Sequence, residues 1–168
     1  MSVHIEINQT YSEPYFKEYY GEWLQYKSRF KKWQRQFALA LLLLYFIIVA
    51  IYPSLYLGAL GLPIFSIYMF YEFYASKKKW MRARLESNVF NRDIQLIFTE
   101  EEVLTNSSVV ESKVQWNFFT TVIETQKGLL LSPENGTHIY LPKSAFASDK
   151  EWQWILEKIQ TQTQIKTQ

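Results

Sequence analysis

Few residues in this 168-residue chain have the types and spacing that chemistry requires. There is no cysteine, which excludes disulfides, thiolate metal sites and thiol nucleophiles. The two histidines, His4 and His138, fall in separate predicted strands without the spacing of a metal site. Residues 100–102 are three adjacent acids typical of a solvated turn, and no Gly-rich phosphate loop or nucleophile elbow occurs. The sequence therefore predicts no enzyme, no catalytic residue, no cofactor and no metal.

Glu72 is the one acid beside a long apolar stretch, residues 37–71, that contains no charged side chain. An acid within a membrane span is a candidate proton or cation site. The favoured interpretation is an interfacial carboxylate paired with a lysine, because Lys77 follows within about one turn. A transport pathway through so few crossings would also require several chains to assemble.

The apolar stretch predicts two membrane crossings. As one helix it would be about 52 Å long, whereas a bilayer core of roughly 30 Å is crossed by about 20 residues. Tyr52-Pro53-Ser54 places a helix stop and a turn residue near its middle. We therefore expect a helical hairpin with crossings at about 34–52 and 55–74. Small residues in the second crossing would let the helices pack closely: Gly58, Gly61 and Ser66.

Basic residues flank the apolar stretch on both sides. Lysine and arginine near the ends of spans mark the cytoplasmic side, so both termini are expected in the cytoplasm. The same side chains would meet anionic lipid headgroups. Because orientation already explains these clusters, they do not indicate nucleic-acid binding. The flanking residues are Lys27, Arg29, Lys31, Lys32, Arg35, Lys77, Lys78, Lys79, Arg82 and Arg84.

Aromatic residues recur at helical spacing before the apolar stretch, which predicts a continuous helix that enters the membrane. One interpretation is an amphipathic helix on the membrane surface or against a partner. The favoured interpretation is packing against the helix that leaves the second crossing, through Trp80, Met81 and Leu85. The stripe consists of Tyr15, Tyr19, Trp23, Tyr26, Phe30, Trp33 and Phe37.

Alternation of apolar and polar residues predicts a β-rich domain after residue 92. An N-terminal strand at 3–7, in which Val3, Ile5 and Ile7 alternate with polar residues, brings the number of strands to seven. Asn135-Gly136 is the strongest hairpin signal. The other strands are expected at about 94–98, 103–106, 109–117, 119–125, 129–132 and 137–141.

A C-terminal helix follows the strands. Ser148 and Glu151 have capping-box spacing. Its apolar face needs a surface to cover, so we expect an α+β fold with a pleckstrin-homology-like barrel closed by this helix. The face consists of Trp152, Ile155, Leu156 and Ile159.

Four residues are candidates for the barrel core or for a groove. Pro142 ends the last strand, and Phe146 can then turn inward under the final helix. Trp116, with Phe119 after it, is expected to fill the barrel. The alternative is that Trp116 or Phe146 lines a peptide groove.

The order of these segments resembles the YcxB-like family of small bacterial membrane proteins. The resemblance rests on an apolar hairpin ahead of alternating strands, on Trp116 and Phe119, and on the stretch from Leu141-Pro142-Lys143 to Phe146. It covers most of the chain, to about Gln160. It implies a two-helix hairpin in the bacterial cell membrane and a C-terminal pleckstrin-homology-like domain. No catalytic residue or ligand carries over, because the family implied is defined by its architecture.

The predicted function is that of an integral membrane protein holding an interaction module at the cytoplasmic face, where it binds a protein segment along a strand edge or groove. Anionic-lipid sensing and an oligomeric pore or transport accessory subunit are the alternatives. Residues 93–168 carry ten acids against six basic residues, which argues against a headgroup pocket. The expected segments are a strand and amphipathic helix at 1–33, the hairpin at 34–76, a basic helix at 77–92, the pleckstrin-homology-like domain at 93–160 and a polar tail at 161–168.

Overall fold

The computed structural model describes residues 4–133 and 138–162. Over these ranges the chain is an α+β protein with four α-helices and two antiparallel β-sheets. It divides into two compact units. The helical unit is Lys27–Ala83, and the β unit combines Met1–Tyr26 with Arg84–Gln168. The predicted Asn135-Gly136 turn, Val3 and the tail after residue 162 lie outside the described residues.

The β unit contains seven strands in its described residues, the number that the alternation predicts. They are β1 (Ile5–Thr10), β2 (Asp93–Phe98), β3 (Glu102–Asn106), β4 (Glu111–Gln115), β5 (Phe119–Glu124), β6 (Gly128–Pro133) and β7 (Ile139–Pro142). Helix α1 (Glu13–Tyr26) follows β1, and the C-terminal helix is Asp149–Gln162. The N-terminal strand pairs with β2, although Thr10 and Asp93 are 83 residues apart.

The strands form two sheets rather than the single closed barrel that the sequence predicts. One sheet has the order β1-β2-β3-β4 and the other β5-β6-β7, and no strand pairing among the described residues joins them. The physical reason lies at Trp116–Phe118, where a 3₁₀ turn ends β4 and lets β5 start a new ladder with β6. The β-sheet closure expected from a barrel is replaced by side-chain packing between two sheets.

The core of the β unit lies between the two sheets and under the C-terminal helix. In β1, Ile5 and Ile7 are buried while Glu6 and Asn8 are exposed, as expected for a strand with one covered face. The helix begins as predicted, because the Glu151 N–H donates to the Ser148 hydroxyl and the Glu151 carboxylate accepts from the Ala147 N–H. Its buried side chains are Trp152, Ile155 and Ile159.

The helical unit consists of two antiparallel helices. Helix α2 (Arg29–Ile51) is followed by a 3₁₀ turn at Pro53–Leu55 and by α3 (Gly61–Leu85); the C-terminal helix is therefore α4. The Gln34 side chain donates to the Met69 carbonyl at 2.9 Å, and the Ser66 hydroxyl donates to the Ala38 carbonyl at 2.7 Å. These two bonds fix the antiparallel register of α2 and α3.

The continuous helix predicted through the aromatic stripe is wrong. Helix α1 ends at Tyr26 and α2 begins at Arg29, because Ser28 leaves the helical conformation with φ −108° and ψ 79°. Ser28 occupies the N-cap position of α2 but makes no side-chain capping hydrogen bond there. The break divides the stripe: Tyr19 is buried in the β unit, whereas Phe30 and Trp33 are exposed.

The two predicted crossings differ in the structure. Among the described helices, α2 alone is long and apolar enough to cross a membrane, over Phe30–Ile51 with a mean hydropathy of 1.9. In the second predicted crossing the α-helix begins only at Gly61. The part of that helix without a charged residue is therefore only 61–71. A Cβ atom added at Gly61 would meet nothing within 4 Å. Ser66 is instead the small residue at the contact between α2 and α3, through its hydrogen bond to Ala38.

Candidate functional site

Trp116 and Phe119 lie in the core between the sheets. Trp116 is 1% exposed, its ring nitrogen donates to the Thr99 carbonyl at 3.0 Å, and its ring lies 5.8 Å from that of Phe98. Phe119 is 2% exposed. The structure therefore places both side chains where they fill space and not where a peptide could reach them.

Pro142 and Phe146 lie where β7 meets the C-terminal helix. Phe146 is half-buried, and its ring packs edge-on against Trp152 at 5.1 Å. Pro142 is buried at the end of β7 and lines a surface cleft. Of the four candidates for core or groove, Pro142 is the one that borders an accessible site.

The predicted membrane-flanking residues cluster on α2 and α3 and in the link before α2. Lys27, Lys32 and Arg35 are exposed, as are most of the basic side chains of α3. Arg35 lies over the Phe73 ring at 5.6 Å, which is a cation–π distance. Glu72 is exposed and its carboxylate accepts a hydrogen bond from Ser76 at 2.9 Å.

A cleft of ≈ 320 Å³, which the sequence did not predict, lies in the β unit, and we call it the β1–α1 cleft. It is lined by residues of β1, of the first turns of α1 and of the segment from Pro142 through the 3₁₀ turn Lys143–Ala145. Its lining residues are Asn8, Gln9, Thr10, Pro14, Tyr15, Glu18, Pro142, Ser144 and Ala145.

Gln9 is the unusual member of this cleft. It follows Ile5 and Ile7 on the inward face of β1 and is only 7% exposed. Within the described part of the chain, neither its side-chain oxygen nor its nitrogen has a hydrogen-bond partner. Burial raises the pKa of Tyr11, and the nearby side chains of Tyr15 and Gln9 partly offset that rise. The Gln9 amide atoms lie close to Tyr11 without full hydrogen-bond geometry, and both are buried from solvent, so the cleft does not expose them.

A layer of tyrosines joins α1 to the outer edge of β7. The Tyr15 hydroxyl donates to the Tyr140 carbonyl and the Tyr19 hydroxyl donates to the His138 carbonyl, both at 2.8 Å. The Tyr140 hydroxyl in turn donates to Glu18 at 2.7 Å. Edge strands carry unpaired carbonyls that promote association with other chains. Here α1 covers that edge of β7, whereas β1 is an edge strand of the other sheet.

Burial makes these tyrosines difficult to ionise. Desolvation raises the pKa of Tyr19 to about 12, against an opposing effect of Arg84. The pKa of Tyr140 is raised by burial and then by its bond to Glu18, and the pKa of Tyr15 is raised by burial. The folded state is therefore favoured while these tyrosines are neutral and disfavoured once they ionise.

We expect the β unit to lose stability in alkali. Because the folded pKa of Tyr19 lies above its unfolded value of about 10, the stabilisation is complete below pH 10 and is lost as the pH rises towards about 12. The loss from Tyr19 alone amounts to about 2–3 kcal/mol. Tyrosinate absorbance and near-ultraviolet circular dichroism, recorded together on the full chain in detergent, should change in one cooperative step.

Tyr19→Phe should move this alkaline transition to higher pH, at a cost of about 1 kcal/mol near neutrality for the lost hydrogen bond. Tyr52→Phe is the matched control, because Tyr52 is 59% exposed. Tyrosines that all titrate near pH 10 while the fold stays intact would contradict the buried layer.

The comparisons with known proteins bear on the C-terminal half of this unit. No curated protein and no solved structure matches the chain. The family model described as YcxB-like protein matches residues 98–158, from the last residue of β2 into α4. This segment contains Trp116, Phe119, Pro142 and Phe146, the residues on which the resemblance rests. The resemblance to the YcxB-like family is therefore confirmed over residues 98–158.

Proposed function

We propose that this chain is an integral membrane protein of the YcxB-like type that holds its β unit at the cytoplasmic face as a protein-binding module. In this proposal the helical unit is the membrane anchor, and the β unit is a pleckstrin-homology-like domain built from two sheets and α4.

The distribution of apolar side chains carries the proposal of a membrane anchor. All but three of the exposed large hydrophobic side chains in the described residues lie between Phe30 and Tyr74. The buried positions between α2 and α3 include the polar residues Gln34 and Ser66, at 5% and 1% exposure. Apolar side chains outside and hydrogen-bonded small or polar residues inside are the arrangement that helices adopt in lipid. In water, so large an apolar surface would cause aggregation.

The pairing of β1 with β2 supports a topology with both flanks on the same side. The β unit is assembled from Met1–Tyr26 and Arg84–Gln168, which precede and follow the helical unit. Strand pairing requires both segments in one compartment, so the chain between them must return to the side from which it left. Helix α2 reaches about 34 Å, enough for a bilayer core of roughly 30 Å. The basic residues on both flanks favour the cytoplasm as that compartment.

Ion pairs in the β unit favour protein binding over lipid sensing. A headgroup pocket needs several lysines or arginines free to converge on phosphate. Three lysines of the β unit are instead each beside an acid. Lys113 pairs with Glu102 at 2.7 Å, Lys143 lies 3.4 Å from Asp149, and Lys127 lies 4.0 Å from Glu18. The open edge of β1 offers backbone groups that a protein segment can pair with.

The topology is testable with single cysteines, because the natural chain has none. Lys17→Cys and Thr120→Cys place thiols at exposed positions of the two flanks. Both should react with a membrane-impermeant maleimide only after the cells are permeabilised. Labelling of one flank in intact cells and not of the other would rule out a common side.

Membrane integration is measured on the same cells. The full chain should remain in the membrane fraction after washing with concentrated urea and should leave it only with detergent. Release of the chain by urea alone would contradict the anchor.

A further inference from the structure

We propose that the free edge of β4 pairs antiparallel with β4 of a second copy of this chain, in the register that sets Glu111 opposite Lys113 of that copy. This self-association goes beyond the proposed function, because it joins two copies of the chain and uses the edge of β4 instead of that of β1. The unused backbone of the edge, the apolar residues beside it and the charges along it support the pairing independently.

Strand β4 is an edge strand whose outer backbone groups are unused. It lies at the end of the β1-β2-β3-β4 sheet and pairs with β3 alone among the described strands. The Ser107 N–H donates to the Val110 carbonyl, so in the antiparallel pattern Ser112 directs its backbone groups to β3. Glu111 and Lys113 then direct theirs outward, where no described residue bonds to them. Such an edge is a template for another strand.

The exposed apolar side chains of the β unit lie beside this edge. Outside Phe30–Tyr74, the exposed large hydrophobic residues in the described chain are Val109, Val110 and Phe118. The two valines directly precede β4, and Phe118 lies in the 3₁₀ turn that follows it. Antiparallel pairing brings the start of one β4 beside the end of the other, so the valines of one copy would lie near Phe118 of the second. Scattered apolar residues need no explanation, but their confinement to one strand edge indicates an association surface.

The charges along the edge favour a second copy and one register. Glu111 and Lys113 are two residues apart on one face of the sheet, and both are exposed. With Ser112 on a twofold axis, each Glu111 faces Lys113 of the other copy across a hydrogen-bonded pair. A shift by two residues would set Lys113 against Lys113 or Glu111 against Glu111, and like charges directly opposite are destabilising. The chain thus carries its own complement.

This register also agrees with the contacts within each copy. Lys113 is paired with Glu102 of its own chain at 2.7 Å, yet its side chain is 68% exposed. An ammonium group has three N–H donors, so Lys113 can bond both Glu102 and Glu111 of the second copy. Val110, at 39% exposure, would lie opposite the half-buried Val114 of the second copy and be covered by it.

The contact is small, because it consists of one pair of five-residue strands. Interfaces of this size belong to the weak and transient class. We therefore expect a monomer–dimer equilibrium that depends on the concentration of the chain.

The first experiment places one cysteine on the axis, which is possible because the natural chain has none. Ser112→Cys faces its counterpart in a non-hydrogen-bonded pair, whose Cα atoms lie about 4.5 Å apart, within the range of a disulfide. The full chain in detergent is oxidised with copper phenanthroline, and the disulfide-linked dimer is measured on a non-reducing gel. Asn8→Cys is the matched control, since Asn8 is exposed on β1, the other edge strand of the same sheet.

Charge reversal tests the register in the Ser112→Cys chain. Glu111→Lys sets like charges opposite each other twice, as does Lys113→Glu, so either variant alone should yield at least about fivefold less dimer. Mixing the two variants, each with its own tag, restores both opposite-charge pairs, so the mixture should form a heterodimer at the level of the unreversed chain. A variant that had lost its fold could not regain dimer in this way.

Dimer from Ser112→Cys, its loss in each charge variant and its return in the mixture would support pairing through β4. Absence of that dimer, a mixture that stays monomeric, charge variants that crosslink as strongly as the unreversed chain, or stronger crosslinking of Asn8→Cys would each overturn it.

Sedimentation of the natural chain in detergent gives a second readout that needs no cysteine. The monomer–dimer equilibrium should shift towards monomer with Glu111→Lys. A natural chain that is monomeric at every concentration, or an equilibrium that Glu111→Lys leaves unchanged, would also overturn pairing through β4.

Discussion

Gly128→Ala should destabilise the β unit by about 3 kcal/mol or more. This is at or beyond the upper end of the usual cost of inserting an extra methyl group into a packed protein interior. A Cβ atom at position 128 would lie 2.1 Å from the Leu141 carbonyl oxygen and 2.9 Å from a ring carbon of Tyr140. The Leu141 oxygen belongs to the backbone of β7, which is paired with β6 at this point. It cannot move aside without breaking the ladder, so the β5-β6-β7 sheet should open at its β7 edge.

Denaturant unfolding of the full chain in detergent, followed by near-ultraviolet circular dichroism, measures this effect. Gly21→Ala is the matched control: it lies in α1 with nothing within 4 Å of the added methyl group. Alanine is favoured over glycine in a helix, so Gly21→Ala should stabilise by up to about 1 kcal/mol. A Gly128→Ala variant that unfolds like the natural chain would mean that β6 and β7 are not as close as described.

Trp116→Ala should cost about 3–5 kcal/mol, the range for removing a large buried aromatic ring. The ring is 1% exposed and contacts Phe98, Phe119 and Trp154. Its removal also leaves the Thr99 carbonyl without the indole N–H. The two sheets and α4 meet at this ring, so the loss should appear as a lower unfolding midpoint of the whole β unit.

Two further variants separate packing from hydrogen bonding at this position. Trp116→Phe keeps an aromatic ring and should cost less than Trp116→Ala. Trp33→Ala is the control, because Trp33 is 60% exposed on α2 and its loss should leave the unfolding of the β unit unchanged. Unfolding of Trp116→Ala at the natural midpoint would remove Trp116 from the core.

The strands and the last helix were predictable because their signals are local. Alternation alone places β2 within a residue of its observed start, and the spacing of Ser148 and Glu151 places the start of α4. Each signal depends on side chains within a few residues of one another. The fold class of the β unit follows from their order.

The closure of the sheets could not be predicted from such signals. Whether the chain continues one ladder or starts another is decided by three residues, Trp116–Phe118, which turn in a 3₁₀ conformation. Their sequence is compatible with an extended strand, and the turn is stabilised by burial of Trp116 against distant residues. The break at Ser28 likewise lacks a glycine or a proline that would mark it.

The candidate site was missed for a related reason. The apolar alternation of Ile5 and Ile7 stops at Gln9, so the sequence suggests that the strand has ended. The structure shows that β1 continues to Thr10 with Gln9 still facing inward. A glutamine two residues after two inward isoleucines is the signal that could have found it. The cleft itself also requires residues 142–145, which only the folded chain brings near.

The pairing of β1 with β2 sets the order of events during synthesis. Thr10 leaves the ribosome 83 residues before Asp93, which at about 5–20 residues per second is a delay of roughly 4–17 s. Throughout this interval the apolar side of β1 has no strand to pair with, and under the proposed function the intervening helices would enter the membrane in the same period. The apolar side chains of β1 thus stay uncovered until residues 93–98 are made, and the speed of translation across residues 27–83 sets how long this lasts.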